Sequence, residues 1–324
     1  MLKKLSLIKW LILAGLLAVV IVLVLQRDRV YDYYRGIIYK PSAEMVKIRD
    51  SLDLTSEGEF IFNASQPALS ERDEFNQNCR PTDAETAILG CYVMENIYVY
   101  NIEDEQLKGI KELTAAHELL HAVYARMSDE EKNNLESVLR QVYKDNKEIL
   151  EDDLKIYSSS ERSEELYVRA GTEVKTLPDV LEKHYAKYFT NQDKVVSYYD
   201  SYIAVFRRLK AELKALEAEM GELNTKIDNM TTEYKDRVVQ YEADVNQFNN
   251  CADTMGCFSS QWEFDTRRNA LVNEQIALDA LYDEISNLIA EYNKKVEVYN
   301  NDVIETNRLT DKMNSNVKPK EDIK

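Results

Sequence analysis

Breakers of regular structure are scarce in this chain. It has 8 Gly and 5 Pro in 324 residues, and no Pro lies between Asp179 and Val317. So long a stretch without them predicts long helices in the C-terminal half. Basic residues are in deficit: 41 Lys and Arg stand against 58 Asp and Glu, a formal charge of −17. That balance excludes nucleic acid as the main partner, because phosphate binding needs a basic surface. Histidine is rarer still, with three in the chain. What is present in quantity, 44% hydrophobic and 10% aromatic residues, excludes a wholly disordered chain. The length suits two folded units plus their connections.

Hydrophobic residues concentrate at the N-terminus. Leu5 to Leu25 is apolar except for Ser6 and Lys9, and roughly twenty helical residues cross a hydrocarbon core. Lys9 lies near one end, where its stem can snorkel to the interface. The run is apolar on all sides, unlike a soluble helix with one buried stripe. It is long for a cleaved signal and ends in Leu25-Gln26-Arg27 without a small-x-small pattern. Residues 1–27 are therefore read as a transmembrane signal anchor, and 28–58, charged and Tyr-rich, as a juxtamembrane linker or helix. Lys3, Lys4 and Lys9 on one side and Arg27, Arg29 and Arg35 on the other leave the positive-inside count nearly balanced. The cysteines decide the orientation instead. Cys79, Cys91, Cys251 and Cys257 form two close pairs. They predict two disulfides and an oxidising compartment. Neither pair has C-x-x-C spacing, which disfavours a cysteine zinc site or a thioredoxin-like motif. The expected topology is a single-pass membrane protein whose C-terminal domain is extracytoplasmic.

Two strand-like runs follow, Glu59-Phe60-Ile61-Phe62 and Cys91 to Tyr100. A Cys79–Cys91 bridge would tie the intervening loop, which contains Pro81, to the second run. Loop closures of this size contribute about 2–4 kcal/mol. Leu107 to Met127 is a helix candidate. Within it, TAAHELLHAV (Thr114–Val123) places His117, Glu118 and His121 in an H-E-x-x-H pattern. Residues four apart lie one above the other on a helix, so both imidazoles can reach one Zn²⁺. Glu118, beside the first of them, is placed to act as general base toward a water activated by the metal. Thr114, Ala115, Leu119, Leu120, Ala122 and Val123 are uncharged, as a buried helix requires. Two of the chain's three His fall in this motif, which chance placement of so scarce a residue would rarely produce.

The segment Thr114–Val123, following a strand, resembles the zincin metallopeptidases. The resemblance implies an α+β domain in which an edge strand lines the cleft and binds peptide in extended form. It also implies a third protein ligand. Tyr124 and Met127 occupy the Gly and His places of the metzincin pattern, which excludes that branch. In gluzincin-like members the ligand is a Glu on a later helix. Ser158-Ser159-Ser160-Glu161 reads as a helix start with capping-box spacing. On that helix Leu166, Ala170, Glu173 and Leu177 share one face. Glu173, within an apolar stripe, needs a cation or a metal, and is the first choice; Glu165 is the reserve. An inserted helix beginning at Ser128-Asp129-Glu130-Glu131, with the stripe Leu135, Val138, Leu139 and Val142, would separate the ligands. His184, the third His, could hydrogen-bond an oxyanion or orient water, as could Tyr185 and Tyr188 through their hydroxyls.

Farther on, Leu209, Leu213, Leu216, Met220, Leu223, Ile227, Met230 and Tyr234 step by four and three, and the pattern resumes at Val238, Tyr241, Val245 and Phe248. A second seam runs Leu278, Leu281, Ile285, Leu288, Tyr292, Val296, Tyr299 and Val303. Two helices folded back antiparallel are the economical arrangement, each arm about 70 Å long at helical rise, with Cys251–Cys257 clipping the tip. The tail 314–324 reads as disordered.

The expected architecture is therefore an α+β zincin-like domain over 59–195, a long antiparallel coiled-coil hairpin over 196–313, and an N-terminal transmembrane helix. The expected function is a membrane-anchored, extracytoplasmic zinc peptidase acting on a peptide or protein substrate, with a further protein partner possible at the hairpin. The rival is a non-enzymatic surface protein whose hairpin binds a partner and whose zincin-like domain is inactive.

Overall fold

The computed structural model describes residues 26–79, 88–155 and 157–315, with Leu13, Leu17, Val20, Ile21 and Val24. Most of the apolar run 5–25, the Pro81 loop at 80–87 and the tail from 316 onward therefore lie outside the described residues. Among the described residues no helix is long and apolar enough to cross a membrane. The chain divides into two compact units, residues 1–205 with 309–324, and residues 206–308.

The stretch expected to be a linker is folded into the first unit. It forms helices α1 (Arg27–Ile38), α2 (Ala43–Ser51) and α3 (Ser56–Ala64). Ser42 and Thr55 cap the second and third, accepting from the backbone N–H of Met45 and Gly58 at 3.1 Å each. Met45, Ile48 and Leu52 are core residues, so 28–58 is part of the domain rather than a tether. The expected strand Glu59–Phe62 is helical, inside α3. A run of four with three apolar residues is ambiguous in period, and the Thr55 cap decides it. Gly58 is obligatory there, because a Cβ would lie 2.1 Å from the Tyr188 carbonyl oxygen.

Strand β1 (Ala68–Ser70) and helix α4 (Arg72–Asn78) precede a hairpin of β2 (Gly90–Val93) and β3 (Asn96–Tyr100). The run Cys91–Tyr100, expected as one strand, is thus two. Met94 and Glu95 both take positive φ, 45° and 61°, the twist a two-residue hairpin turn requires, without the glycine that would have signalled it. The sheet order is β1-β3-β2, with β1 parallel and β2 antiparallel to β3. The Cys79–Cys91 disulfide joins the end of α4 to β2.

Helices α5 (Ile110–Arg126), α6 (Asp129–Asp145), α7 (Lys147–Leu154), α8 (Ser159–Glu173) and α9 (Asp179–Tyr185) complete the globular part, with one 3-10 turn at Glu105–Leu107. The Ser158 capping box forms as read, and a second forms at Ser128, where only a helix start was expected: Glu131 and Glu161 each accept from the backbone N–H and hydroxyl of their serine. Leu135, Leu139 and Val142 of α6 are buried and Val138 half-buried. Ser315, expected in the loose tail, is buried in the first unit and its carbonyl accepts from Asn76 at 2.7 Å.

The two long helices are α10 (Gln192–Ala252) and α11 (Gln261–Met313). Within 206–308 they run antiparallel. Lys226 pairs with Glu284, Arg237 with Glu274 and Lys295 with Glu219, one number rising as the other falls. Every residue of both expected seams is buried or half-buried. The tip holds the Cys251–Cys257 disulfide and a cluster of Phe248, Phe258 and Phe264.

Candidate metal centre

Helix α5 lies at the heart of the first unit, between the sheet and α8. Its Leu113, Thr114, Ala115, Ala116, Leu119 and Leu120 are buried, and small residues let neighbours approach closely. On the α8 side the close approach depends on Gly171. A Cβ there would sit 2.5 Å from Leu120 Cδ1 and 2.7 Å from Tyr185 Cε1. This contact presses α8 against the H-E-x-x-H turns.

The result is a cluster of His117, His121 and Glu165, whose ligand atoms all lie within 4.8 Å of one another. His117 Nε2 is 3.7 Å from Glu165 Oε1, and His121 Nε2 is 3.5 Å from Glu165 Oε2. The imidazole centroids are 5.0 Å apart. Two imidazole nitrogens and a carboxylate oxygen converging from two helices could hold a metal ion. The acid that joins the histidines is the reserve candidate, Glu165, and not Glu173. The apolar-stripe argument for Glu173 assumed that α8 buries one face. From Glu165 to Glu173 every residue is buried except the half-buried Arg169, so burial alone does not discriminate between the two acids. Glu173 lies two turns farther on, about 12 Å along the axis. It serves Arg169, which donates to Glu173 Oε1 at 2.9 Å and to Glu165 Oε1 at 2.6 Å. One guanidinium thus holds both carboxylates, and Glu165 is aimed by it.

Glu164, not foreseen, takes the other side of His121. Its Oε1 accepts from His121 Nδ1 at 2.8 Å. A hydrogen bond there fixes the tautomer that leaves Nε2 for a metal. The only sequence trace of it is a second acid beside Glu165. The electrostatics divide the two imidazoles. Burial pushes His117 down to about 3, against the pull of Glu165. Burial works the same way on His121, but its hydrogen bonds to Glu164 and Glu165 win and hold it up at about 10. Burial works to raise the Glu165 carboxyl; its interactions with His117, His121 and Arg169 override that and keep it well below the usual carboxylate range.

Glu118 is buried on the sheet side of α5. The start of β2 lies directly over it: a Cβ on Gly90 would fall 2.7 Å from Glu118 Oε1 and 2.6 Å from Thr114 Cγ2. The edge strand therefore runs beside the carboxylate, and a glycine makes the approach possible. His184 lies on α9. Its Nε2 is 2.9 Å from the Tyr167 hydroxyl, and the rings of Tyr167, Tyr185 and Tyr188 surround it. Burial lowers it to about 4. The Tyr185 hydroxyl donates to the Tyr167 carbonyl at 2.6 Å. These contacts pack His184 among tyrosines, a usual surrounding for a histidine, and none of them is to His117, His121 or Glu165.

Comparisons of this chain with protein-family models, with curated proteins and with solved structures return no match.

Proposed function

We propose that this protein is a zinc-dependent peptidase, anchored by its N-terminal apolar run and facing an oxidising compartment. The observation that carries the reading is the arrival of Glu165, from a separate helix, at the two imidazoles of the H-E-x-x-H turns. Two His and one carboxylate form a three-ligand set of the kind open zinc sites use, whereas structural sites close with four ligands, many of them Cys. Both disulfides engage all four cysteines elsewhere.

His117, His121 and Glu165 would hold the ion. When bound, zinc supplies the Lewis acidity that makes water nucleophilic at neutral pH and polarises a carbonyl. The chain's own residues do the rest. Glu118 takes a proton from the attacking water and returns it to the leaving amine. Glu164 keeps the His121 ring in register, and Arg169 keeps Glu165 turned toward the histidines. Strand β2 pairs on one side only among the described residues. Its outer edge offers N–H and C=O groups to an extended peptide, which would lay a scissile bond near Glu118. The two disulfides support the extracytoplasmic assignment.

The test is metal analysis and a peptide-library cleavage assay on wild type, Glu118→Ala and Glu165→Ala. Wild type is expected to carry zinc and cleave. Glu118→Ala is expected to keep the zinc and lose turnover by about 10²–10⁴-fold. Glu165→Ala is expected to lose the metal. Zinc-loaded wild type that cleaves no peptide would overturn the peptidase and favour a binding protein. Unchanged cleavage of a native substrate after deletion of 201–312 would show that the hairpin does not present substrate.

A further inference from the structure

Helix α1 divides cleanly into two halves. At 100° per residue, Tyr33, Ile37, Val30, Tyr34, Ile38 and Tyr31 fall within an arc of about 160°. All six are exposed, from 47% for Val30 to 65% for Ile37. Scattered exposed apolar side chains are ordinary; six on one face of a 12-residue helix are not.

The opposite half is bonded to the rest of the first unit through Arg29, Asp32 and Arg35. Arg29 donates to both Glu57 carboxylate oxygens at 2.9 and 2.7 Å and lies over the Phe60 ring. Asp32 accepts two hydrogen bonds from Arg126, at the end of α5, at 2.9 and 2.8 Å. Arg35 donates to the Ala64 carbonyl at 2.6 Å, and to the Glu95 carbonyl and Asn96 Oδ1 at 2.9 and 2.8 Å across the β2–β3 turn. Arg126 also donates to the Tyr92 hydroxyl of β2 at 3.0 Å. The helix therefore cannot roll to hide its apolar face without breaking these bonds.

Three features identify what covers that face. It begins five residues after the apolar run that ends at Leu25, with Arg27 the first residue of α1. Its composition is tyrosine and branched aliphatics, the mixture that settles at the boundary between acyl chains and headgroups. The one charged residue within the arc is Arg27, which is exposed, and a guanidinium suits phosphate headgroups. The described positions of the preceding run, Leu13, Leu17, Val20, Ile21 and Val24, are likewise apolar and exposed.

We infer that the Val30–Tyr33–Tyr34–Ile37 face of α1 seats in the headgroup–acyl boundary of the bilayer, as an interfacial helix following the anchor. This rests on the anchor assigned above but not on the zinc chemistry. Its consequence is orientation. Because α1 is bonded to the end of α5 and to the β2–β3 turn, seating it fixes the first unit, with the edge strand and Glu118, at a set attitude to the membrane. A peptide would then be met close to the bilayer surface.

The test uses the full chain in vesicles of phosphatidylcholine and phosphatidylglycerol. An environment-sensitive nitrobenzoxadiazole label is attached at Tyr34→Cys or Ile37→Cys, with Val239→Cys on the hairpin unit as the control. Flotation after carbonate washing reads the anchor by itself. Nitroxide-headgroup lipid reads the stripe. The labels at 34 and 37 are expected to be blue-shifted and quenched at least about twofold more than the label at 239, as interfacial burial demands. Chain that floats, but with labels at 34 and 37 quenched no more than at 239, overturns the seat and leaves the anchor standing. Chain that does not float overturns both. Self-quenching at 34 that rises with protein-to-lipid ratio, without nitroxide quenching, assigns the face to a second copy and overturns the lipid assignment. Far-UV circular dichroism and a thermal midpoint equal to wild type in each labelled variant show that the first unit stays folded.

Discussion

The two units of this protein bury apolar surface in different ways. In the hairpin, the seam is a single file of side chains, and most of its members remain half-buried; Leu209, Leu278 and Ile285 are among the few that close fully. In the first unit, whole aromatic rings are sealed: Phe62, Tyr167, Tyr185 and Phe189 are at or below 1% exposure. A two-helix seam holds a shape but shields no interior. A layered core has an interior, and there a carboxylate such as Glu165 can be taken from water, surrounded by chosen partners and shifted from its ordinary behaviour. Chemistry belongs to the second kind of packing, and length to the first.

The largest expected difference between the units is in the metal centre. Glu165→Ala should weaken zinc binding by at least about a hundredfold, and Glu164→Gln by about 10–100-fold through the lost support of His121, both read by competition with a chelator. Met255→Ser, at the exposed hairpin tip, should leave zinc affinity and turnover unchanged. Tip substitutions that abolished either would break this division of labour between the units.

Glycine substitutions should separate the units next. Gly171→Ala must push Leu120 and Tyr185 apart, and overpacking of this kind costs about 1–3 kcal/mol. Gly221, on the hairpin, has nothing within 4 Å of a built Cβ. Gly221→Ala should therefore stabilise by about 0.5–1 kcal/mol, since alanine favours the helix and restricts the unfolded chain. Urea unfolding, followed separately for each unit by hydrogen exchange, measures both.

Acid should act on the first unit before the hairpin. His184 is lowered by burial from 6.5 to about 4, so between those values the unfolded chain binds the extra proton. Stability linked to His184 is therefore complete above pH 6.5 and is lost as pH falls toward 4. His184→Phe should flatten this part of the Tm–pH curve even if it lowers Tm at pH 7 through the lost Tyr167 bond. An unchanged slope would show that the imidazole is not desolvated. The smallest effect concerns the disulfides, which close sequence separations of 12 at Cys79–Cys91 and 6 at Cys251–Cys257. A doubled loop adds only about 0.6 kcal/mol of closure entropy, so paired Cys→Ser variants should differ by little more than that, with the Cys251 and Cys257 pair losing order at the tip alone.

How legible each part was follows from the range of the interactions that decide it. The heptad seam involves residues three and four apart whose burial is set by the same periodicity along the whole arm, so Leu213 through Phe248 could be read in order. The helix start at Ser128 and the capping box at Ser158 are equally local. The H-E-x-x-H turns carry their geometry in one helix. The strand readings failed where a turn lacked its usual residues, as at Met94-Glu95, or where four residues gave no period, as at Glu59–Phe62. The acid that could join the two histidines was narrowed to two on α8, and the geometry favours the reserve. Both Glu165 and Glu173 are buried, and the difference lies in which turn of α8 faces His117, which is a matter of helix crossing.

The amino-acid order by itself determined the long helices, their seams, both disulfide pairings and the paired imidazoles, because each depends on contacts a few residues apart or on residues too scarce to have other partners. Only the tertiary structure decided that α8 crosses α5 at Gly171, that Glu165 rather than Glu173 meets the histidines, that Gly90 lays a strand edge on Glu118, and that α1 binds the domain with one half and leaves the other bare. Those outcomes come from how closely separate elements can approach, and a periodicity within one element carries no information about its distance to another.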